Sequence, residues 1–266
     1  MARRAGLFAF VYVWFAILIA FPVVGILFGA FQSGVGSFIH QLTNPEALFS
    51  LKLTFEVTGC ALILNTVFGL IIAFAIAYRQ MWGWQIANVF VDLPFAVSPV
   101  IAGLALIFVY GPNTFIGGLL QKGDIKLMFA MPGMVMATMF VTLPFVVREL
   151  VPTLREAGRS QEEAANTLGA SGWRVFWSIT LPQIKWSLFY GMILTIARAL
   201  GEFGAVLVVS GSVIMLTETA TLFVYQSTVN GDMQAAYAVS LVLAITSFVI
   251  LLILQFVKRK QGVNRA

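Results

Sequence analysis

Residues 7–31 read L-F-A-F-V-Y-V-W-F-A-I-L-I-A-F-P-V-V-G-I-L-F-G-A-F, with no charged side chain in about 25 positions. A bilayer core needs roughly 20 apolar residues in a helix, so this run is long enough to cross one. A secretory leader would also start with basic residues such as Arg3 and Arg4, but its apolar region spans only about 7–15 residues. The run is therefore expected to stay in the mature protein as a first membrane span. In hydrocarbon, backbone N–H and C=O groups must pair within the chain, which leaves helices and closed barrels as the available folds. Runs this long and continuous belong to helices.

Further runs at about 53–78, 86–110, 127–147, 182–209 and 235–257 predict an all-α, polytopic membrane protein of six transmembrane helices. Composition agrees, with 60% hydrophobic and 10% charged residues over 266 positions. No low-complexity tract or Pro/Ser-rich linker divides the chain, so it reads as a single domain over residues 1–266. Residues 32–52, 111–126 and 210–234 read as connecting loops. The lone cysteine, Cys60, excludes an internal disulfide. A net charge of +5 invites a nucleic-acid reading, but the basic residues form no surface stripe. Membrane topology explains them better. The two termini, the connection at Arg79 and the 148–185 stretch hold 12 of the 16 Lys and Arg residues. The opposite loops hold Lys52, Lys122 and Lys126. The positive-inside rule then predicts that both termini and the 160–182 segment are cytoplasmic.

That segment, S-Q-E-E-A-A-N-T-L-G-A-S-G-W-R-V-F-W-S-I-T-L-P, is a polar interlude in an apolar chain. Ser160 reads as an N-cap, and Glu163 three residues on completes a capping box. Ala164, Ala165 and Leu168 share one face of a short helix, which Gly169 can stop in the left-handed conformation. Ser171 caps a second short helix, whose Trp173, Phe176 and Trp177 suit a membrane–water boundary. A short helix with a small-residue face on a membrane protein's surface is a docking plug.

The spacing Glu163-Ala164-Ala165, Gly169, then Ile179-x-Leu181-Pro182 resembles the EAA loop of ABC-importer permeases. That resemblance implies that the loop docks on a separate ATP-hydrolysing subunit, with Glu163, Ala164, Ala165, Gly169, Leu181 and Pro182 as coupling residues. The chain itself holds no G-x-x-x-x-G-K-[ST] loop, no Ser/His/Asp set and no His/Cys metal cluster. It is therefore expected to be a non-catalytic permease subunit without a cofactor or metal of its own.

Two charges lie inside the fifth run. Arg198 and Glu202 in A-R-A-L-G-E-F-G-A are four apart and can pair across one helical turn. An unpaired charge near mid-bilayer costs a few kcal/mol, so both must face protein or water. Arg198 as an oxyanion ligand is the sharper reading, but Glu202 beside it would repel an anion. A neutralised structural or gating pair is favoured. The tripeptide L-P-F recurs at 93–95 and 143–145, and Pro94 and Pro144 can each bend a helix beside a translocation path. Ser98 and Pro99, from the same run as Pro94, join them as candidates. Asp92 reads as a helix-end charge and His40 as a solvated loop residue.

The stretches 92–104, 129–133, 140–150 and 167–191, with 197–211, resemble sulfate permeases of the ABC class. The resemblance is dense over about 53–211, and departs at Ile196, where asparagine is expected. It implies the type I ABC importer permease fold in a bacterial cytoplasmic (inner) membrane. It further implies a sulfate or thiosulfate importer with two different permeases and two ATPase subunits that hold ATP and Mg, served by an external binding protein. Molybdate and tungstate permeases share much of the pattern. A membrane-embedded enzyme would need clustered acidic or histidine residues at one depth. A stand-alone channel would have no use for an exposed small-residue helix.

Overall fold

The computed structural model describes residues 2–78 and 82–263; the basic residues Arg79 and Arg265 lie outside them. The described chain is helical. Helix α1 (Ala2–Phe15) passes through a π turn (Ala16–Ala20) into α2 (Phe21–Phe31). There follow α3 (Gly34–Leu42), α4 (Pro45–Ala77), α5 (Trp84–Ala96), α6 (Pro99–Tyr110), α7 (Phe115–Lys122) and α8 (Met131–Ala157). Beyond them lie α9 (Ser160–Thr167), α10 (Gly172–Val175), a second π turn (Phe176–Thr180), α11 (Leu181–Leu200), α12 (Gly204–Ser210), α13 (Ala220–Val229) and α14 (Met233–Val263).

Four stretches are single helices long and apolar enough to cross a membrane: Phe10–Phe31, Pro45–Ala77, Met131–Ala157 and Met233–Lys258. The other two expected spans are broken. Trp84–Ala96 and Pro99–Tyr110 meet at 116°, and Gly172–Leu200 and Gly204–Ser210 at 60°. The count reaches six only when each bent pair is taken as one span.

The boundaries expected from the sequence shift for local reasons. Residues 32–52 are mostly helical rather than irregular, because Asn44 caps α4 by accepting from Glu46 N at 3.0 Å, with Pro45 in the first turn. His40 accordingly sits in the last turn of α3, exposed. Helix α8 runs ten residues past Val147, through both Pro144 and Pro152. The loops at 111–126 and 210–234 carry α7 and α13.

Helix α8 is the axis of the bundle and packs against α4, α11, α12, α5 and α6. Val146, fully buried, lies between two glycines. A methyl at Gly69 of α4 would meet its Cγ1 at 2.8 Å, and one at Gly191 of α11 would meet its Cα at 3.1 Å. Glycines here let three helix backbones close up, which is how helices adhere where lipid is as apolar as leucine. Around this point sit Ala73, Ile76, Val147, Leu150, Leu154 and Ile184. A second cluster farther along α8 joins Val57, Met134, Val141, Val206 and Leu222. Asn65 of α4 crosses to α8, its amide donating to Thr142 Oγ1 at 2.7 Å and to Met139 O at 3.2 Å.

The two breaks touch each other. A methyl on Gly204, just past the second break, would meet Val100 Cγ2 at 3.1 Å and Pro99 Cβ at 3.3 Å, just past the first. Beyond that point α6 lies on α12, with Gly103 against Ala205 O. Gly103→Leu should therefore lower the melting temperature of the detergent-purified chain, at a cost of about 1–3 kcal/mol from overpacking against backbone. Gly118→Ala, where a methyl inside α7 meets nothing within 4 Å, should not lower it.

Candidate functional site

The 160–182 segment stands out from the bundle at one end. Its capping differs from the expected box. Ser160 is already inside α9, the N-cap is Arg159 with no side-chain cap, and Glu163 N donates to Arg159 O. Arg159 has helix-like backbone angles, so the Ser160 hydroxyl is one position too late to cap. The neighbouring acid does the anchoring. Glu162 Oε1 accepts from Thr180 Oγ1 at 2.6 Å and from Tyr78 Oη at 3.3 Å, while the Arg159 guanidinium lies 4.9 Å from the Tyr78 ring centre. Those bonds tie α9 to the end of α4 and to the π turn before α11. Glu162 can be found in the sequence only as the one of two adjacent glutamates that faces inward.

The far end of α9 follows the expectation. Gly169 has φ +83°, Ala170 N donates to Ala165 O at 3.0 Å, and Gly169 N donates to Asn166 O at 3.0 Å. Those two bonds form a Schellman motif, which needs a left-handed residue at this position. Ser171 caps α10 through Arg174 N at 3.4 Å. Glu163 and Ala164 are exposed, Ala165 is half-buried, and Leu168 projects with 88% of its surface free. Leu181 and Pro182 lie apart from this surface. Leu181 packs beside Leu150, Leu154 and Ile184, and Pro182 occupies the first turn of α11 directly after the π turn. They belong to the shaft on which the exposed helix is mounted.

At the second break Arg198 and Glu202 pair as expected, Nη1 to Oε2 at 2.7 Å. They do so across the end of α11 rather than within a continuous helix, since Gly201 is its C-cap. Glu202 holds three elements at once. Its Oε1 accepts from Ala205 N at 3.0 Å, and its carbonyl accepts from Thr221 Oγ1 at 2.9 Å. The Glu202 side chain is 1% exposed, against 34% for Arg198.

The first break lies at Val97 and Ser98. Both are extended, with ψ 135° and 136°, because Pro99 excludes the helical conformation at the residue before it and then starts α6. Pro94 sits inside α5, upstream of the break, and Pro144 inside unbroken α8. The L-P-F echo also has a packing role, since Phe95 and Phe145 meet edge to face at 5.5 Å. Asp92 is more than a helix-end charge. Arg148 Nε donates to Asp92 Oδ1 at 2.7 Å, Nη2 donates to Oδ2, and Nη2 also reaches Asn88 O at 3.3 Å. This two-pronged clamp and the Phe pair hold α5 on α8. Two opposite charges at equal depth, beside the two L-P-F prolines, were the available sequence signal.

Residues 65–262 match the family described as binding-protein-dependent transport system inner membrane component, and the chain belongs to that family. It is 43% identical over 250 residues to the sulfate transport system permease protein CysW of Synechocystis sp., covering 94% of this chain and 91% of that protein. Against CysW of Escherichia coli K12 the figure is 46% over 198 residues, covering 74% and 68%. Against CysT of the same strain it is 32% over 246 residues, covering 92% and 89%. A subunit of a bacterial ABC transporter involved in the import of the acidic polysaccharide alginate superposes with a TM-score of 0.76. That match is at 18% identity and covers 97% of this chain and 96% of that one. The fold is the type I ABC importer permease fold.

The unequal burial of the pair predicts unequal mutants. Arg198→Met strands a buried carboxylate and should cost about 3–5 kcal/mol. Glu202→Gln keeps an acceptor for Ala205 N and leaves an arginine that can reach solvent, so it should cost less. Arg198→Met/Glu202→Gln should recover part of the Arg198→Met loss. Fluorescence-detected size exclusion of heated, solubilised chain reads all three. A Glu202→Gln loss larger than that of Arg198→Met would contradict the asymmetry.

Proposed function

We propose that this chain is one of two permease subunits of an ATP-driven oxyanion importer of the bacterial inner membrane, with sulfate or thiosulfate as cargo. The substrate class rests on the likeness to CysW proteins at 43–46% identity. The second permease would be a CysT-like chain, and an external sulfate-binding protein would deliver the anion. Two separate ATP-binding subunits would bind ATP and Mg and carry out hydrolysis. The charge distribution supports both termini, with α9, on the cytoplasmic side.

The observation that carries this reading is the mounting of α9. An apolar leucine, 88% exposed, stands on a two-turn helix that is stopped by Gly169 and anchored through Glu162. A preformed helix docks at little ordering cost. The anchor joins it to the helical shaft that ends at Arg198 and Glu202, where both broken helices touch. When the ATPase subunits close, α9 is drawn with them and the shaft carries the displacement to the breaks. The path then opens to the opposite side, and hydrolysis resets it. In this scheme Glu163, Ala164, Ala165 and Gly169 form the docking surface. Leu181 and Pro182 carry its motion, and Ser98, Pro99, Arg198 and Glu202 receive it. Pro94 lies in α5, which leads into the first break, and Pro144 in α8, on which α5 packs.

Gly169→Leu puts a branched side chain at φ +83° and should disrupt the Schellman end of α9. Membrane insertion should persist, while copurifying ATPase subunit and uptake of labelled sulfate each fall by about tenfold or more, as for loss of an interaction of about 1.4 kcal/mol or above. Uptake and association at wild-type levels would refute the docking role. Competition by excess thiosulfate and molybdate in the same assay assigns the cargo. Orientation is read separately in a Cys60→Ala background. Ser33→Cys and Gly231→Cys should react with an impermeant thiol reagent added outside intact cells, and Ser160→Cys should not.

A further inference from the structure

Among the acidic side chains described, Glu218 is the one with both oxygens buried and unpaired. It is 0% exposed, in the short segment between α12 and α13, and neither oxygen accepts a bond from an N–H or O–H donor. The start of α4 lies against this segment, with Ala47 packed in one cluster with Ala220 and Ala220 N donating to Thr54 Oγ1 at 2.8 Å, which brings the Glu46 carboxyl of the first turn to the same end. Two carboxylates are both acceptors, so a bond between them requires a proton. A fully buried carboxylate with no donor would be far costlier than a neutral carboxylic acid.

Among the described residues, no cation pairs with Glu218. On α4, Lys52 faces Glu56 at 3.7 Å on the exposed side. Before α14, Asp232 caps the helix through Ala235 N at 3.0 Å. On α3, His40 is exposed. At the α11–α12 break, Glu202 is already paired with Arg198. Around Glu218 the segment is well fastened. Thr217 Oγ1 donates to Ser210 O, Ala220 N donates to Thr54 Oγ1, and Ala47, Ala220, Phe223, Ala235 and Val239 pack as one apolar cluster.

We propose that Glu218 carries a proton in the folded chain and turns it toward Glu46, and that this proton is a pH-sensitive fastener joining the segment before α13 to the start of α4. Burial first, then the Glu46 carboxylate and its hydrogen bond, push the Glu218 carboxyl up to about 7. From the ordinary value of 4.5 up to about 7, the folded chain keeps a proton that the unfolded chain has shed. The fastening is therefore strongest at low pH and weakens as pH rises through that window. On the orientation proposed above, the pair lies at the outer face. One retained proton then removes one negative charge where a divalent anion must approach. The proton-binding claim itself does not depend on that orientation.

The test uses the full chain with its copurifying subunits in lipid nanodiscs. Infrared difference spectra between about pH 5 and about pH 9 should show one protonated-carboxyl band lost with a midpoint near neutrality. Glu218→Gln should abolish that band. Glu46→Gln should move its midpoint to lower pH, since it removes a like charge and leaves the burial. Hydrogen exchange at 212–222, corrected for its intrinsic pH dependence, should speed up about tenfold across the same midpoint. It should be flat in Glu218→Gln. No titrating band in the wild type, or an unchanged band in Glu218→Gln, would overturn the proposal. Should Glu218→Gln fail to assemble, an unmoved midpoint in Glu46→Gln would overturn it. Sulfate uptake enters none of these readouts, so the importer reading can fail without touching the proton pair, and the reverse.

Discussion

Val146, held between Gly69 and Gly191, is the contact on which the bundle depends. Apolar side chains gain nothing from leaving lipid for one another, so a membrane fold must find its stability in close packing and polar pairing. Two glycines on two different helices let α4 and α11 close on the same turn of α8. The Asn65–Thr142 bond supplies a polar counterpart on the α4 side. Once α4, α8 and α11 are fixed, the remaining helices are placed by what they offer this trio. Helix α5 is attached through Arg148 and Phe145, and α12 packs directly on α8.

Several of the charged side chains described sit where helices end or break. Glu162 sits where α9 meets the shaft, Glu202 at the α11–α12 break, Arg148 opposite the arm that leads into the α5–α6 break, and Glu218 at the approach to α13. Continuous helix needs no such help, because its backbone groups pair internally. A break frees backbone groups and invites a carboxylate to collect them, as Glu202 collects Ala205 N. Glu162, Glu202 and Glu218 thus mark three joints of the molecule.

Much of this was legible in the sequence. Apolar length located the spans, the Arg198–Glu202 spacing gave the pair, and Gly169 and Ser171 ended and started helices where expected. The errors have physical causes. Asn44 and Pro45 are a helix start, although the stretch around them is rich in turn residues. Ser160 matches a capping pattern in spacing, but its cap depends on backbone angles that sequence spacing does not encode. Pro99 starts a helix because its ring suits the first turn, while Pro144 lies inside unbroken α8. Asp92–Arg148 and Glu46–Glu218 join residues 56 and 172 positions apart, a distance over which local periodicity carries no information.

The shaft from Gly172 to Leu200 is continuous helix through its π turn, 29 residues, or about 43 Å at 1.5 Å per residue. In such a rod, length and rotation are one quantity. Inserting or deleting a single residue anywhere along it turns everything beyond by about 100°. Gly204 would then turn away from Val100 and Pro99 of α6, even with every local contact at the Ser171 end intact. A change of count in this rod can be absorbed only locally, as in a π turn such as Phe176–Thr180, so the shaft carries its own means of adjusting where its far end points.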